Sequence, residues 1–169
     1  MKYTSSEAAK LLRKLNEEIT YLELLESRSR EFQAALGEDI ESVRPPYDYK
    51  EVKEKLEELQ GKVRMVKHTI NKFNVTTEVP GFGMTIDQML IYIPQLRMTK
   101  LKLSEMSSRL PKERERITGS NSAIIDYRYT NYDIETVKAD CQEISDELSR
   151  AQTALDLVNS TITMEIEIE

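Results

Sequence analysis

The chain has 169 residues, 39% hydrophobic and 32% charged, with a formal net charge of −6. That length fits one domain, and the lean apolar content suits long helices with narrow stripes better than a thick globular core. The acidic balance argues against duplex nucleic acid as a partner, and the single cysteine, Cys141, excludes an internal disulfide.

The opening residues, Met1-Lys2-Tyr3-Thr4-Ser5-Ser6-Glu7, carry no hydrophobic core of a signal peptide, so a cytoplasmic location is expected. Thr4-x-x-Glu7 is a capping-box pattern: the hydroxyl takes the backbone N–H three residues on, and the carboxylate reaches back. A helix is expected from about 5 to 36, along Ala8, Leu11, Leu12, Leu15, Ile19, Leu22, Leu25, Phe32 and Leu36, weakening near Ser29 and stopping at Gly37. Pro45-Pro46 cannot continue a helix and favours an extended linker. Asp48-x-x-Glu51 then caps a second helix, about 49 to 73, on Val52, Leu56, Leu59, Val63, Val66, Ile70 and Phe73. The short linker favours an antiparallel hairpin of these two helices.

Pro80-Gly81 and Gly83 mark turns, and Thr85-x-x-Gln88 starts a third helix, about 86 to 110, through Met89, Ile93, Leu96, Leu103, Met106 and Leu110. Pro94 lies inside it and removes the bond to the Leu90 carbonyl, so a kink is expected there. The run Met89-Leu90-Ile91-Tyr92-Ile93 is the longest strongly apolar one and is far too short to span a bilayer. Beyond Pro111 the period changes to two. Ala123, Ile125, Tyr127 and Tyr129 alternate with Ile124, Asp126, Arg128 and Thr130, which predicts a hairpin of strands about 113–118 and 123–130 around Gly119-Ser120-Asn121. The clearest helix follows, about 133 to 159. Its Ile134, Val137, Cys141, Ile144, Leu148, Ala151, Leu155 and Val158 recur at alternating steps of three and four, a seam that another element has to cover. Ile162, Met164, Ile166 and Ile168 then alternate as a strand over about 161–168. The expected fold is mainly α: one domain over 1–169, an antiparallel coiled-coil-like bundle of long helices with a small antiparallel β element.

Two groups of residues are candidates for function. Arg97, Lys100, Lys102, Arg109, Lys112, Arg114 and Arg116 are accompanied only by Glu105, Glu113 and Glu115. This basic stretch reads either as a solvated helix face and hairpin tip or as a site for an anionic partner: an acidic protein face, a membrane surface or RNA. Tyr127, Tyr129 and Tyr132 are close enough in sequence to stack on bases. Ile162, Met164, Ile166 and Ile168 form the second group, a candidate oligomer contact, because an open strand edge invites pairing with another chain.

Catalytic patterns are weak. The only histidine, His68, has Met65 three residues before it, so the Glu-x-x-His repeat of di-iron bundles does not occur. A Mg²⁺-dependent all-α nucleotide hydrolase would need Glu54, Glu57 and Glu58 to converge with Glu143, Asp146 and Glu147. Helical spacing instead puts Glu54 and Asp146 on solvated flanks. Pro80-Gly81-Phe82-Gly83 lacks the preceding strand and following Lys-Ser/Thr of a phosphate loop. No catalytic residue, metal site or cofactor is expected.

Ile70-Asn71-Lys72-Phe73-Asn74, followed by Gly83-Met84-Thr85-Ile86 and then Asp87-Gln88-Met89-Leu90, resembles the septicolysin-like family of small bacterial helical proteins. Ile125-Asp126-Tyr127 resembles that family's short strand before its final helix, and Asn159 an Asn near the helix end. The chain departs from the pattern at Phe73, Pro94 and Ser160. The resemblance implies a fold and an element order, and the family's name implies pore formation. The leading expectation is a non-enzymatic helical scaffold that self-associates; the alternatives are a membrane-active oligomer and the metal-dependent hydrolase.

Overall fold

A computed structural model describes residues 1–115 and 126–168. In chain order its elements are β1 (Lys2–Thr4), α1 (Ser5–Ser29), α2 (Ile40–Val43), α3 (Tyr49–Thr76), β2 (Glu78–Val79), β3 (Met84–Thr85), α4 (Ile86–Ser107), β4 (Lys112–Arg114), β5 (Tyr127–Tyr129), α5 (Ile134–Thr161) and β6 (Thr163–Glu165). The fold is mainly α, with small antiparallel strand pairs β1–β6, β2–β3 and β4–β5. The chain divides into two compact units: residues 1–76 together with the chain from Val158 onward, and Thr77–Leu157.

In the first unit, α1 begins at the expected capping box. The Glu7 N–H donates to Thr4 Oγ1 (3.3 Å) and the Thr4 N–H to Glu7 Oε2 (2.8 Å). The Thr4 N–H, and after it the Thr4 hydroxyl, which donates to the same oxygen (3.0 Å), hold the Glu7 carboxyl below its ordinary value. The helix ends at Ser29, short of the expected 36. Its stripe gives way after Leu25 to Glu26-Ser27-Arg28-Ser29-Arg30-Glu31, a run with no apolar side chain to hold a face. Leu36 is fully exposed, and Gly37, at φ 89°, lies in a loop rather than at a helix end. Phe32 instead lies under the Arg44 guanidinium, 5.2 Å from its ring centre.

α3 starts where Asp48 Oδ1 accepts the N–H groups of Lys50 (2.8 Å) and Glu51 (3.2 Å), and it runs three residues past the expected Phe73. α1 and α3 pack on each other as the predicted hairpin, with the Tyr47 hydroxyl donating to Glu26 Oε1 (2.8 Å). Ala8 and Leu15 on α1 and Val66 and Phe73 on α3 are buried.

The C-terminal strand belongs to this unit and pairs inside its own chain. Lys2 faces Glu165, Tyr3 faces Met164 and Thr4 faces Thr163, and the Ile166 N–H donates to the Met1 carbonyl (2.9 Å). Period-two alternation sends Met164 and Ile166 to one side, and both are buried there. The residues read as an oligomer contact are therefore placed differently. Met164 and Ile166 are core residues, Ile168 is half-buried, and only Ile162 stands exposed.

The second unit opens with a tight β2–β3 hairpin. Gly81 (φ 84°) and Gly83 (φ 59°) take the left-handed conformations that glycine tolerates, and the Phe82 N–H donates to the Val79 carbonyl (3.3 Å). The Thr85/Gln88 capping box then starts α4. The helix continues through Pro94 and ends at Ser107, three residues before the expected stop. β4 begins one residue before the first predicted strand and β5 lies within the second; the rest of the predicted hairpin over 116–125, with Arg116, lies outside the described residues.

Side-chain bonds join α4 to α5 and to the segment just before it, and Cys141 Sγ lies 4.0 Å from the Lys100 carbonyl. Tyr92 OH donates to Glu147 Oε1 (3.4 Å), Lys100 Nζ to Ser145 Oγ (2.9 Å) and Tyr132 OH to the Met106 carbonyl (2.9 Å). The long α5 seam faces inward as its spacing required: Val137, Leu148, Ala151 and Leu155 are buried, and Ile134, Cys141 and Ile144 are half-buried.

Candidate functional site

The strand register of the β4–β5 ribbon fixes what each of its faces carries. Lys112 pairs with Tyr129, Glu113 with Arg128 and Arg114 with Tyr127. Directly paired residues share a face and successive residues alternate, so Lys112, Arg114, Tyr127 and Tyr129 lie on one side and Glu113 and Arg128 on the other. All six are exposed. Lys112 Nζ lies 4.1 Å from the centre of the Tyr127 ring and 5.5 Å from that of Tyr129.

The predicted basic stretch resolves into cations with different surroundings. Lys100 is half-buried on Ser145, Arg109 pairs with Glu105 at 2.8 Å, and Lys112 is held over the tyrosines. Arg97, Lys102 and Arg114 are exposed, with no ion pair among the described residues. Arg109 and Arg114 reach one shallow cleft of about 280 Å³. Arg128 joins them, carrying a two-pronged bond to Glu115 (3.0 and 2.5 Å). In the sequence Arg128 is only an alternating strand residue; the register puts it beside the patch. Glu113 and Glu115 line the same cleft, so much of its positive charge is balanced locally.

A larger cleft of about 500 Å³ lies between the end of α4 and the start of α5, lined by Ser107, Ser108, Pro111, Tyr132, Asp133 and Lys138 among others. Its polar groups serve the helix ends. The Ser107 hydroxyl donates to the Ser104 carbonyl (2.9 Å) and the Ser108 hydroxyl to the Glu105 carbonyl (2.7 Å). Asp133 caps α5, accepting from the Thr136 hydroxyl (2.5 Å), the Thr136 N–H (3.1 Å) and the Glu135 N–H (3.3 Å). These bonds, the Thr136 hydroxyl first, hold the Asp133 carboxyl below its ordinary value.

A group whose folded pKa lies below its unfolded value adds stability above the unfolded value, and that contribution is lost as pH falls through the folded one. The melting temperature of the wild type is therefore expected to drop as the pH falls below the ordinary carboxylate value of about 4. Asp133→Ala should melt lower at neutral pH and lose less on acidification; equal pH slopes in circular-dichroism melts would remove the cap as a contributor.

Of the carboxylates weighed for metal chemistry, Glu57, Glu58, Asp146 and Glu147 have local partners, Asp146 accepting from the Gln142 amide (2.9 Å). Glu57 and Glu58 pair along their own helix with Lys53 (3.7 Å) and Lys62 (2.6 Å), and Glu147 accepts from Tyr92 and Arg150. Among the described residues no group of three or more His, Cys, Asp or Glu is placed to hold a metal ion. Nor is any helix of the described residues long and apolar enough to cross a membrane.

The least expected surface is the outer side of α4. Its inner side carries Ile86, Met89, Ile93 and Leu96, at steps of three, four and three, all buried. On a second side, centred about 130° round the helix, Leu90, Ile91, Met98 and Leu101 are 50%, 58%, 66% and 65% exposed, and Pro94 is exposed between them. At 100° per residue these five fall within about 100° of arc, an apolar stripe as wide as a buried face. Asp87 and Lys102 border it near its two ends.

No family model matches the chain, and no curated protein does. The structure is similar to the crystal structure of a functionally unknown conserved protein from Corynebacterium diphtheriae: TM-score 0.60 at 18% identity, over 98% of this chain and 100% of that one. That likeness is one of fold.

Proposed function

We propose that the protein is a non-enzymatic helical interaction module that self-associates, with the outer face of α4 as its contact surface. The observation that carries this reading is the exposed stripe of Leu90, Ile91, Pro94, Met98 and Leu101 on a helix whose other side is already buried. A helix that is apolar on two sides belongs between two layers, and within this chain α4 has one. A contiguous apolar stripe of this kind on a charged protein marks an association surface. The scaffold role predicted from the sequence is kept, while its contact moves from the tail strand to α4.

Met98 lies within the stripe. Met98→Glu would remove the burial of a Met side chain and put a carboxylate into the contact, at a cost of about 3 kcal/mol, roughly a hundredfold in dissociation constant. Light scattering on a sizing column is expected to give a dimer mass for the wild type and a monomer mass for Met98→Glu, with unchanged helicity in both. A wild type that runs as a monodisperse monomer at high concentration would overturn the proposal.

A further inference from the structure

The charges bordering the α4 stripe are arranged so that the stripe complements itself when reversed. Asp87 lies in the first turn of α4 and Lys102 in its second-last, and both are exposed with no ion pair among the described residues. On a helical projection Asp87, Ile91, Met98 and Lys102 lie on one side of the stripe's midline, and Leu90, Arg97 and Leu101 on the other. Along the axis, Asp87 and Lys102 are equally distant from a point just past Pro94, and so are Ile91 and Met98.

From this we infer that two copies pair through α4 in antiparallel, two-fold fashion, centred beside Pro94. The inference rests on the self-association proposed above and specifies its geometry. A two-fold axis across the contact keeps each residue on its own side of the midline and reverses its height. Asp87 of one copy then meets Lys102 of the other, twice over. Ile91 packs on Met98 in the same doubled way, and Leu90 falls next to Leu101. The proline rings meet at the centre, where no long side chain holds the helices apart. Parallel two-fold pairing would instead keep heights and swap sides, bringing Asp87, close to the midline, beside Asp87 and leaving each Lys102 away from any Asp87. Glu105, the other carboxylate near the Lys102 end, is already bound by Arg109 at 2.8 Å.

Charge reversal tests the pairing. Asp87→Lys alone and Lys102→Asp alone each create two like-charge contacts and are expected to weaken the dimer about tenfold or more. The chain carrying both changes restores the two opposite-charge contacts and should dimerise within a few-fold of the wild type. Mixing the two single variants should give heterodimers at concentrations where each alone is a monomer. Asp87→Lys also opposes the positive end of the α4 dipole. Any loss of helicity from that would persist in the double variant, whereas the dimer would return.

A wild-type monomer overturns both this inference and the self-association beneath it. If the wild type is a dimer that Met98→Glu dissociates, yet the single reversals dimerise as the wild type does, the antiparallel geometry falls and the α4 contact stands.

Discussion

Ile166→Asp is expected to destabilise the protein by about 4 kcal/mol or more, the largest loss among the single changes considered. Ile166 is 1% exposed although it lies two residues from the end of the described chain. The change removes the burial of a whole aliphatic side chain, about 2 to 5 kcal/mol in cores that cannot collapse around the gap. It also brings a carboxylate where burial without a partner is costly, so that strand detachment or protonation must follow. A total domain stability of about 5 to 15 kcal/mol leaves little margin. Urea unfolding followed by circular dichroism should show a large fall in midpoint. Glu165→Ala, one position away on the exposed side of the same strand, should stay within about 0.5 kcal/mol of the wild type. Equal midpoints for the two variants would mean that the strand is not docked through its alternate residues.

Met89→Ala should cost about 2 to 5 kcal/mol, and Met98→Ala within about 0.5 kcal/mol, although the two residues share a helix and a chemistry. Met89 is fully buried on the inner face of α4, and Met98 is 66% exposed on the outer one. The measurement belongs at low protein concentration, where self-association adds nothing to the stability of the folded chain. Similar losses at both positions would mean that the outer face is packed against something in the monomer.

What the sequence displayed was periodicity, and where a period was long the elements followed it. The α5 seam, the α3 stripe and the capping boxes at Thr4 and Thr85 each combine several agreeing local signals, and each marks an element in the structure. The end of α1 was harder to read. Phe32 and Leu36 continue its three-four spacing on paper, but six polar residues intervene, Phe32 is covered by Arg44 instead, and Leu36 is fully exposed. The C-terminal strand showed its period, but its pairing with β1 was not visible, because β1 is only three residues long and contacts between opposite ends of a chain leave no local trace.

The outer stripe of α4 was legible but passed over. Met89, Ile93 and Leu96 by themselves satisfy the three-four spacing of one stripe, and Leu90, Ile91, Met98 and Leu101 fall outside it. A helix with few polar positions to spare was the available signal, and it bears directly on association. The basic stretch failed in the opposite way. Seven cations close together in sequence suggested one site, but side-chain reach scatters them onto Ser145, Glu105 and the tyrosine rings, and brings in Arg128 from the neighbouring strand.

The division of the chain carries a consequence for its birth on the ribosome. The stretch from Thr77 to Leu157 is one unbroken run and has all its own residues once its last one has emerged. The unit that contains α1 and α3 does not: Val158, Met164 and Ile166, three of its buried residues, are translated after the whole of the other unit. Every nascent chain therefore passes through a stage in which β1 has an unpaired edge and the α1–α3 hairpin lacks part of its cover, for as long as the intervening run takes to be made. At elongation rates of about 5 to 20 residues per second that interval lasts several seconds, and it is the period in which a growing chain is most open to chaperones, proteases and its neighbours on the same message.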